Sequence, residues 1–147
     1  MKKLKTLLVF VLIILCCACN SSTLTSDEFK KKLRDNDFYV VSTINQFENY
    51  EYIKESFIAT SHDKDYSIEF YILSSEDAAD EFFNANKDLF EAERTEDCIY
   101  KDKKNKYSLT TDTEYKALSK RENTVIYVNV KKEYKNEVNK LIKKIGY

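Results

Sequence analysis

His62 is the single histidine of the chain, set in His62-Asp63-Lys64-Asp65. Any Ser-His-Asp device would have to be built on it, and a zinc site would need several carboxylates from elsewhere. Zinc needs three or four ligands from His, Cys or carboxylate. One histidine and one cysteine of the folded region, Cys98, cannot supply that set alone. The segment has the chemistry of a solvated turn, a poor place to hold a catalytic base. Cys98 lies between Asp97 and Ile99 at what reads as the start of a strand. Nothing near it in sequence supplies a base or a cation to lower its pKa, so it reads as a small apolar filler.

Carboxylates are plentiful but do not form a recognisable device. Asp97, Asp102, Asp112 and Glu114 fall near strand ends, and oxygen-rich loops can hold calcium. No segment has the EF-hand spacing with its glycine, and Lys101, Lys103 and Lys104 would repel the ion. Glu91 and Glu93 near the end of a helix do not converge on a substrate as a glycosidase pair must. The chain has one glycine, Gly146, and no proline. Glycine-rich phosphate loops and dinucleotide fingerprints are therefore excluded. The residues predict no catalytic site, no metal site, no cofactor and no enzymatic activity.

Two excesses remain. Eleven tyrosines and nine phenylalanines stand against no tryptophan. Tyr71, Tyr107, Tyr115 and Tyr127 fall on expected strands, and rings on an open sheet face make a recognition surface. They form the candidate recognition surface, against the plainer reading that tyrosine fits a half-buried strand. Lys101 to Lys106 is a basic hairpin tip that could touch anionic lipid or an anionic envelope polymer, against the plainer reading of a solubilising turn.

The N-terminus carries a different kind of signal. Met-Lys-Lys-Leu-Lys precedes a ten-residue apolar run, Thr6 to Leu15. A transmembrane helix needs about 20 apolar residues, so the run fits a signal peptide. Cys16-Cys17-Ala18-Cys19 follows, then polar Asn20-Ser21-Ser22-Thr23. This segment resembles a bacterial lipobox, with Ala18 before the cut at Cys19. Cys16 departs from the usual leucine, and Cys17 stands as the alternative. The resemblance implies a signal peptide over 1–18, a tether over 19–25 carrying a diacylglycerol on Cys19, and one domain over 26–147. It also implies a cell-membrane location on the extracytoplasmic face. Only Cys98 would then remain as a free thiol outside the cell.

Removing Lys2, Lys3 and Lys5 from the 24 basic residues leaves 21 against 25 acidic, a net charge of −4. That mild acidity argues against nucleic acid as a partner.

The positioning elements can be read from periodicity. Thr25 and Glu28 have capping-box spacing for a first helix with Phe29 and Leu33 one turn apart. Strands follow at Phe38 to Ile44, Tyr50 to Thr60 and Tyr66 to Leu73. In the second of these, Ile53, Phe57 and Ala59 are expected on one side. Ser74-Ser75-Glu76-Asp77 opens a second helix ending near Glu93, with Ala78, Ala79, Phe82, Phe83, Asn86, Leu89 and Phe90 following the helical period on one largely apolar face. Cys98 to Tyr100, Tyr107 to Thr111, Tyr115 to Ser119 and Thr124 to Val130 read as two hairpins. Lys131 to Ile145 closes as a helix buried through Tyr134, Val138, Leu141, Ile142 and Ile145. The expected fold is α+β, a two-layer sandwich of an antiparallel sheet covered by helices, in the order α-β-β-β-α-β-β-β-β-α.

The expected function is non-enzymatic binding of a protein or envelope component at the membrane. The alternative is a small-ligand binder with an aromatic pocket between helix and sheet.

Overall fold

The computed structural model describes residues 23–147. The signal peptide, Cys19 with its alternative Cys17, and most of the tether lie outside the described residues.

Helix α1 (Ser26–Arg34) starts on a complete capping box. The Thr25 hydroxyl accepts from the Glu28 N–H at 3.3 Å, and the Thr25 N–H donates to Glu28 Oε2 at 2.9 Å. Phe29 and Leu33 are fully buried. The strands are β1 (Phe38–Ser42), β2 (Ile53–Ser61), β3 (Ser67–Leu73), β4 (Ile99–Lys103), β5 (Lys106–Thr110), β6 (Glu114–Arg121) and β7 (Thr124–Lys131). Helix α2 (Glu76–Ala92) separates β3 from β4, and α3 (Lys135–Ile145) ends the chain. Short 3-10 turns occupy Ile44–Phe47 and Lys132–Tyr134. The α+β class and the expected order of three helices and seven strands hold.

The strands form one sheet in the order β1-β2-β3-β7-β6-β5-β4. Every neighbouring pair is antiparallel. Alternation along each strand sends one set of side chains to each face. Ile68 and Phe70 of β3 join Ile126 and Val128 of β7 in a core with α1 and α3. Tyr71, Leu73, Val125, Leu118 and Leu109 form a second core with α2. The helices thus divide between the two faces, and the sheet is covered on both sides where two layers were expected. Apolar residues occupy both faces of β3, β6 and β7, and one helical layer would leave half of them wet.

Ile53 departs from its expected face. A register shift between Ile53 and Glu55 places Ile53 opposite Leu73 in the α2 core, whereas Phe57 and Ala59 lie in the α1–α3 core. An extra residue in one strand reverses the alternation beyond it. Leu89 also departs, standing 64% exposed on α2 while Phe83 and Phe90 are buried. The α2 seam is narrower than the pattern implied. Tyr134 precedes α3 rather than belonging to it, and is half-buried.

Helix α3 ends where the chain's one glycine is needed. Gly146 has φ of 107°, a left-handed conformation that a side chain would resist. The Tyr147 N–H donates to the Ile142 carbonyl at 3.0 Å, and the Gly146 N–H to Lys143 at 3.2 Å. This turn folds Tyr147 back onto the sheet, where its hydroxyl meets Thr124.

Candidate functional site

Six spacings of about 4.8 Å make a seven-stranded sheet about 30 Å wide. Two helices side by side, each about 10 Å across, cover about 20 Å of it. On the face of α1 and α3, the helical layer stops before the sheet does. Strand β4 is exposed along its whole length. A cavity of about 430 Å³ lies at this step, between α3 and the β4–β5–β6 part of the sheet.

Its walls come from two simple periodicities. Lys101 and Lys103 are two apart on β4, so both face the same side; Lys101 stands opposite Ser108 and Lys103 opposite Lys106. The connecting turn is only Lys104-Asn105. The lysines expected in a hairpin tip are thus mostly strand residues on one face. Lys135, Asn139 and Lys143 are four apart on α3 and form a polar stripe beside its buried face. Lys135 Nζ donates to Thr110 Oγ1 at 3.1 Å, and the Tyr115 hydroxyl donates to Asn139 Oδ1 at 2.8 Å. Those two bonds hold the stripe against the sheet.

The cavity wall is strongly one-signed. Lys101, Lys103, Lys106 and Lys143 line it, and among the described residues no aspartate, glutamate or arginine side chain does. None of the four is in an ion pair among the described residues. The acid between them, Asp102, points to the other face and meets Lys87 at 2.6 Å. Tyr115, Ile142 and Tyr147 supply apolar surface. Burial pushes the Tyr115 phenol up against its hydrogen bonds to Asn139 and Ser108. Burial also pushes Tyr147 up to about 12. Both rings are neutral hydrogen-bonding walls at ordinary pH. Ser119 lines the same cavity at 5% exposure, and its buried hydroxyl has no hydrogen-bond partner among the described residues. Such an orphan is rare in native proteins and calls for an explanation.

The expected recognition surface is corrected by burial. Tyr71 and Tyr107 pack in the α2 core, and Tyr127 is half-buried there, 5.3 Å from the Phe90 ring. Tyr115 packs in the opposite core. Strand alternation sends three of these rings to one face and the fourth to the other, and a helix covers each. Tyr115 is the one of the four whose hydroxyl reaches the α3 stripe. Tyr107 borders the cavity floor. Ser119, Asn139, Lys143 and Tyr147 were not anticipated as site residues. The four-residue spacing of Lys135, Asn139 and Lys143 was the available signal.

The other sequence candidates do not assemble. His62 stacks on Tyr39 with ring centroids 3.6 Å apart, and Ser61 Oγ donates to Asp63 rather than to His62. Cys98 is half-buried beside Thr95 Oγ1 at 3.3 Å. Glu91 pairs with Lys87, and Glu93 with Lys116. Among the described residues, no three His, Cys, Asp or Glu side chains are grouped to hold a metal ion. No described helix is long and apolar enough to cross a membrane.

Comparison with protein-family models, with curated proteins and with solved structures finds no match.

Proposed function

We propose that the protein is an extracytoplasmic lipoprotein, held at the cell membrane through a diacylglycerol on Cys19. It binds an anionic envelope component in the groove between α3 and the sheet, and catalyses no reaction. The lipobox-like segment around Cys19 supports the anchor. The observation that carries the binding role is the cavity wall of four lysines, unopposed by any aspartate or glutamate side chain and floored by a hydroxyl without a partner among the described residues. A volume of about 430 Å³ is within the range of small-ligand sites, roughly 300–1,000 Å³. The small-ligand reading gains over a tyrosine-faced partner surface because those tyrosines are buried.

Two measurements test this. Mass spectrometry of the N-terminal peptide from the native cell is expected to find the diacylglycerol on Cys19. Amide shifts on titration with inorganic phosphate are expected to cluster at Lys101, Ser108, Ser119, Asn139 and Lys143. Shifts scattered over the surface, or none, reject the groove as the site.

A further inference from the structure

Antiparallel pairing gives the sheet two distinct ends. Ile53, Leu73, Thr124, Arg121, Lys106 and Lys103 lie at one end, as their register shows. The β4–β5 turn Lys104-Asn105 and the β6–β7 turn Glu122-Asn123 therefore project the same way, and the Lys120 N–H donates to the Asn105 carbonyl at 2.9 Å between them. Thr23, the first described residue, hydrogen-bonds Glu122 through its hydroxyl, and Leu24 is buried just after it. The tether therefore leaves the fold at the lysine-bearing end.

Three residues, Asn20 to Ser22, separate Thr23 from Cys19, four steps along the chain. Whatever its path, a chain of that length spans at most about 14 Å. An anchor on Cys19 therefore keeps this end of the sheet against the bilayer. The charge is distributed to match. The β4–β5 hairpin offers Lys101, Lys103, Lys104 and Lys106, with Lys143 across the groove. The acids at this end point or sit elsewhere; Asp102, within the hairpin, turns to the opposite face and pairs with Lys87. Glu48 and Glu51 are on the β1 side, Glu76 and Asp77 at the start of α2 on the opposite face, and Glu122 at the tether. The far end carries Asp63 and Asp65 in one turn, Asp112 in another, and Glu96 and Asp97 after α2, and its lysines Lys64 and Lys131 are paired with Glu137 and Asp65.

We infer that the Lys101–Lys106 hairpin and the groove behind it dock onto the leaflet that holds the anchor and take the phosphate of an anionic lipid headgroup. This rests on the proposed anchor and groove. Lysines act as compact point charges suited to phosphate oxygens. Each lysine near an anionic leaflet adds to the attraction, and the short tether supplies a high effective concentration. The exposed strand face receives the headgroup, and Ser119 and Asn139 lie behind it as hydrogen-bonding groups.

The test uses the mature acylated chain with Cys98→Ser, labelled with a fluorophore at Asn105→Cys or at Asp112→Cys. Each is reconstituted in phosphatidylcholine vesicles, with or without phosphatidylglycerol, containing a headgroup-attached quencher. The expected result is several-fold stronger quenching at position 105 than at 112, increased by phosphatidylglycerol. Combined K101Q, K103Q, K106Q and K143Q substitutions are expected to abolish the increase. Circular dichroism checks that this variant is folded, and the single K106Q and K143Q variants are expected to reduce the increase in part. Equal quenching at the two positions overturns the docking. Quenching indifferent to phosphatidylglycerol and to the lysines overturns phosphate recognition from the leaflet. So does glycerol phosphate shifting the groove amides while the vesicle signal stays flat, which assigns the groove to a soluble ligand. If the N-terminal peptide carries no diacylglycerol, the anchoring reading itself has failed. If it does and the labels behave alike, only this inference has.

Discussion

Lys120 reaches Asp80 at 2.7 Å from a side chain 3% exposed. Lys120 lies on β6 and Asp80 in the second turn of α2, so the pair fastens the start of the helix to the sheet. Glu76 joins it at 3.3 Å. Four residues back along the strand, Lys116 does the same at the far end of α2, pairing with Glu93 and with Glu114. Two lysines on one face of β6 thus clamp the two ends of one helix.

The partners of Lys120 differ in burial, and this sets the direction of mutant effects. Glu76 and Asp80 are half or more exposed, whereas Lys120 is enclosed. Removing the lysine returns two carboxylates to water; removing both carboxylates strands a buried cation. Lys120→Met is expected to cost about 1 kcal/mol, and the double variant Glu76→Gln, Asp80→Asn about 2–3 kcal/mol. Urea unfolding of the two variants checks the order. A costlier Lys120→Met would mean that the ion pair, not the buried charge, dominates.

The same groups fix the pH dependence. Burial works to lower the Lys116 and Lys120 pKa values, but hydrogen bonds to their carboxylates outweigh it and both are raised. A raised lysine contributes stability that is fully present below its unfolded value near 10.5 and is lost as pH climbs through the folded value. At the other end of the scale, Glu137 is held below the usual 4.5 by its hydrogen bond from Lys64, with Tyr66 assisting. Its contribution is present above 4.5 and fades as pH falls through the lower folded value. Melting temperature against pH is therefore expected to fall at both extremes. Lys120→Met should flatten the alkaline fall, and Glu137→Gln part of the acid one.

The order of elements was legible because each rests on local chemistry. The Thr25–Glu28 box, the Ser75 cap and the alternation of β3 all lie within a few residues. What could not be read depended on distant pairing. Ile53 changes face through a bulge defined only by its partner Leu73. Leu89 obeys the helical period yet has no strand beneath it. The lysine groove combines β4, β5, β6 and the C-terminal helix, and its hairpin half was visible in sequence while its helix half was not.

Helix α2 therefore supplies a paired prediction. Phe90→Ala removes a ring that is 2% exposed and packed near Tyr127 and Tyr107, and is expected to cost about 3–5 kcal/mol. Its neighbour Leu89 points to solvent, so Leu89→Ala should fall within about 0.5 kcal/mol of the parent. Thermal melts of the two variants decide whether α2 sits in the described rotation. Similar losses from both would require a different helix face against the sheet.

Ser119 gives the opposite kind of outcome, a gain in stability at the expense of binding. Its hydroxyl is buried and has no hydrogen-bond partner among the described residues, so the folded state bears the desolvation of that group without return from them. Replacing it by a methyl removes the unmatched oxygen, and Ser119→Ala is expected to stabilise the fold by about 1 kcal/mol. A hydroxyl that fills a site for a ligand should show the reverse in binding. Phosphate affinity measured by calorimetry should fall for Ser119→Ala while the urea midpoint rises. Loss of stability would mean that the hydroxyl has a partner inside the fold. Unchanged affinity with the gain in stability would leave the lysines alone as the binding determinants.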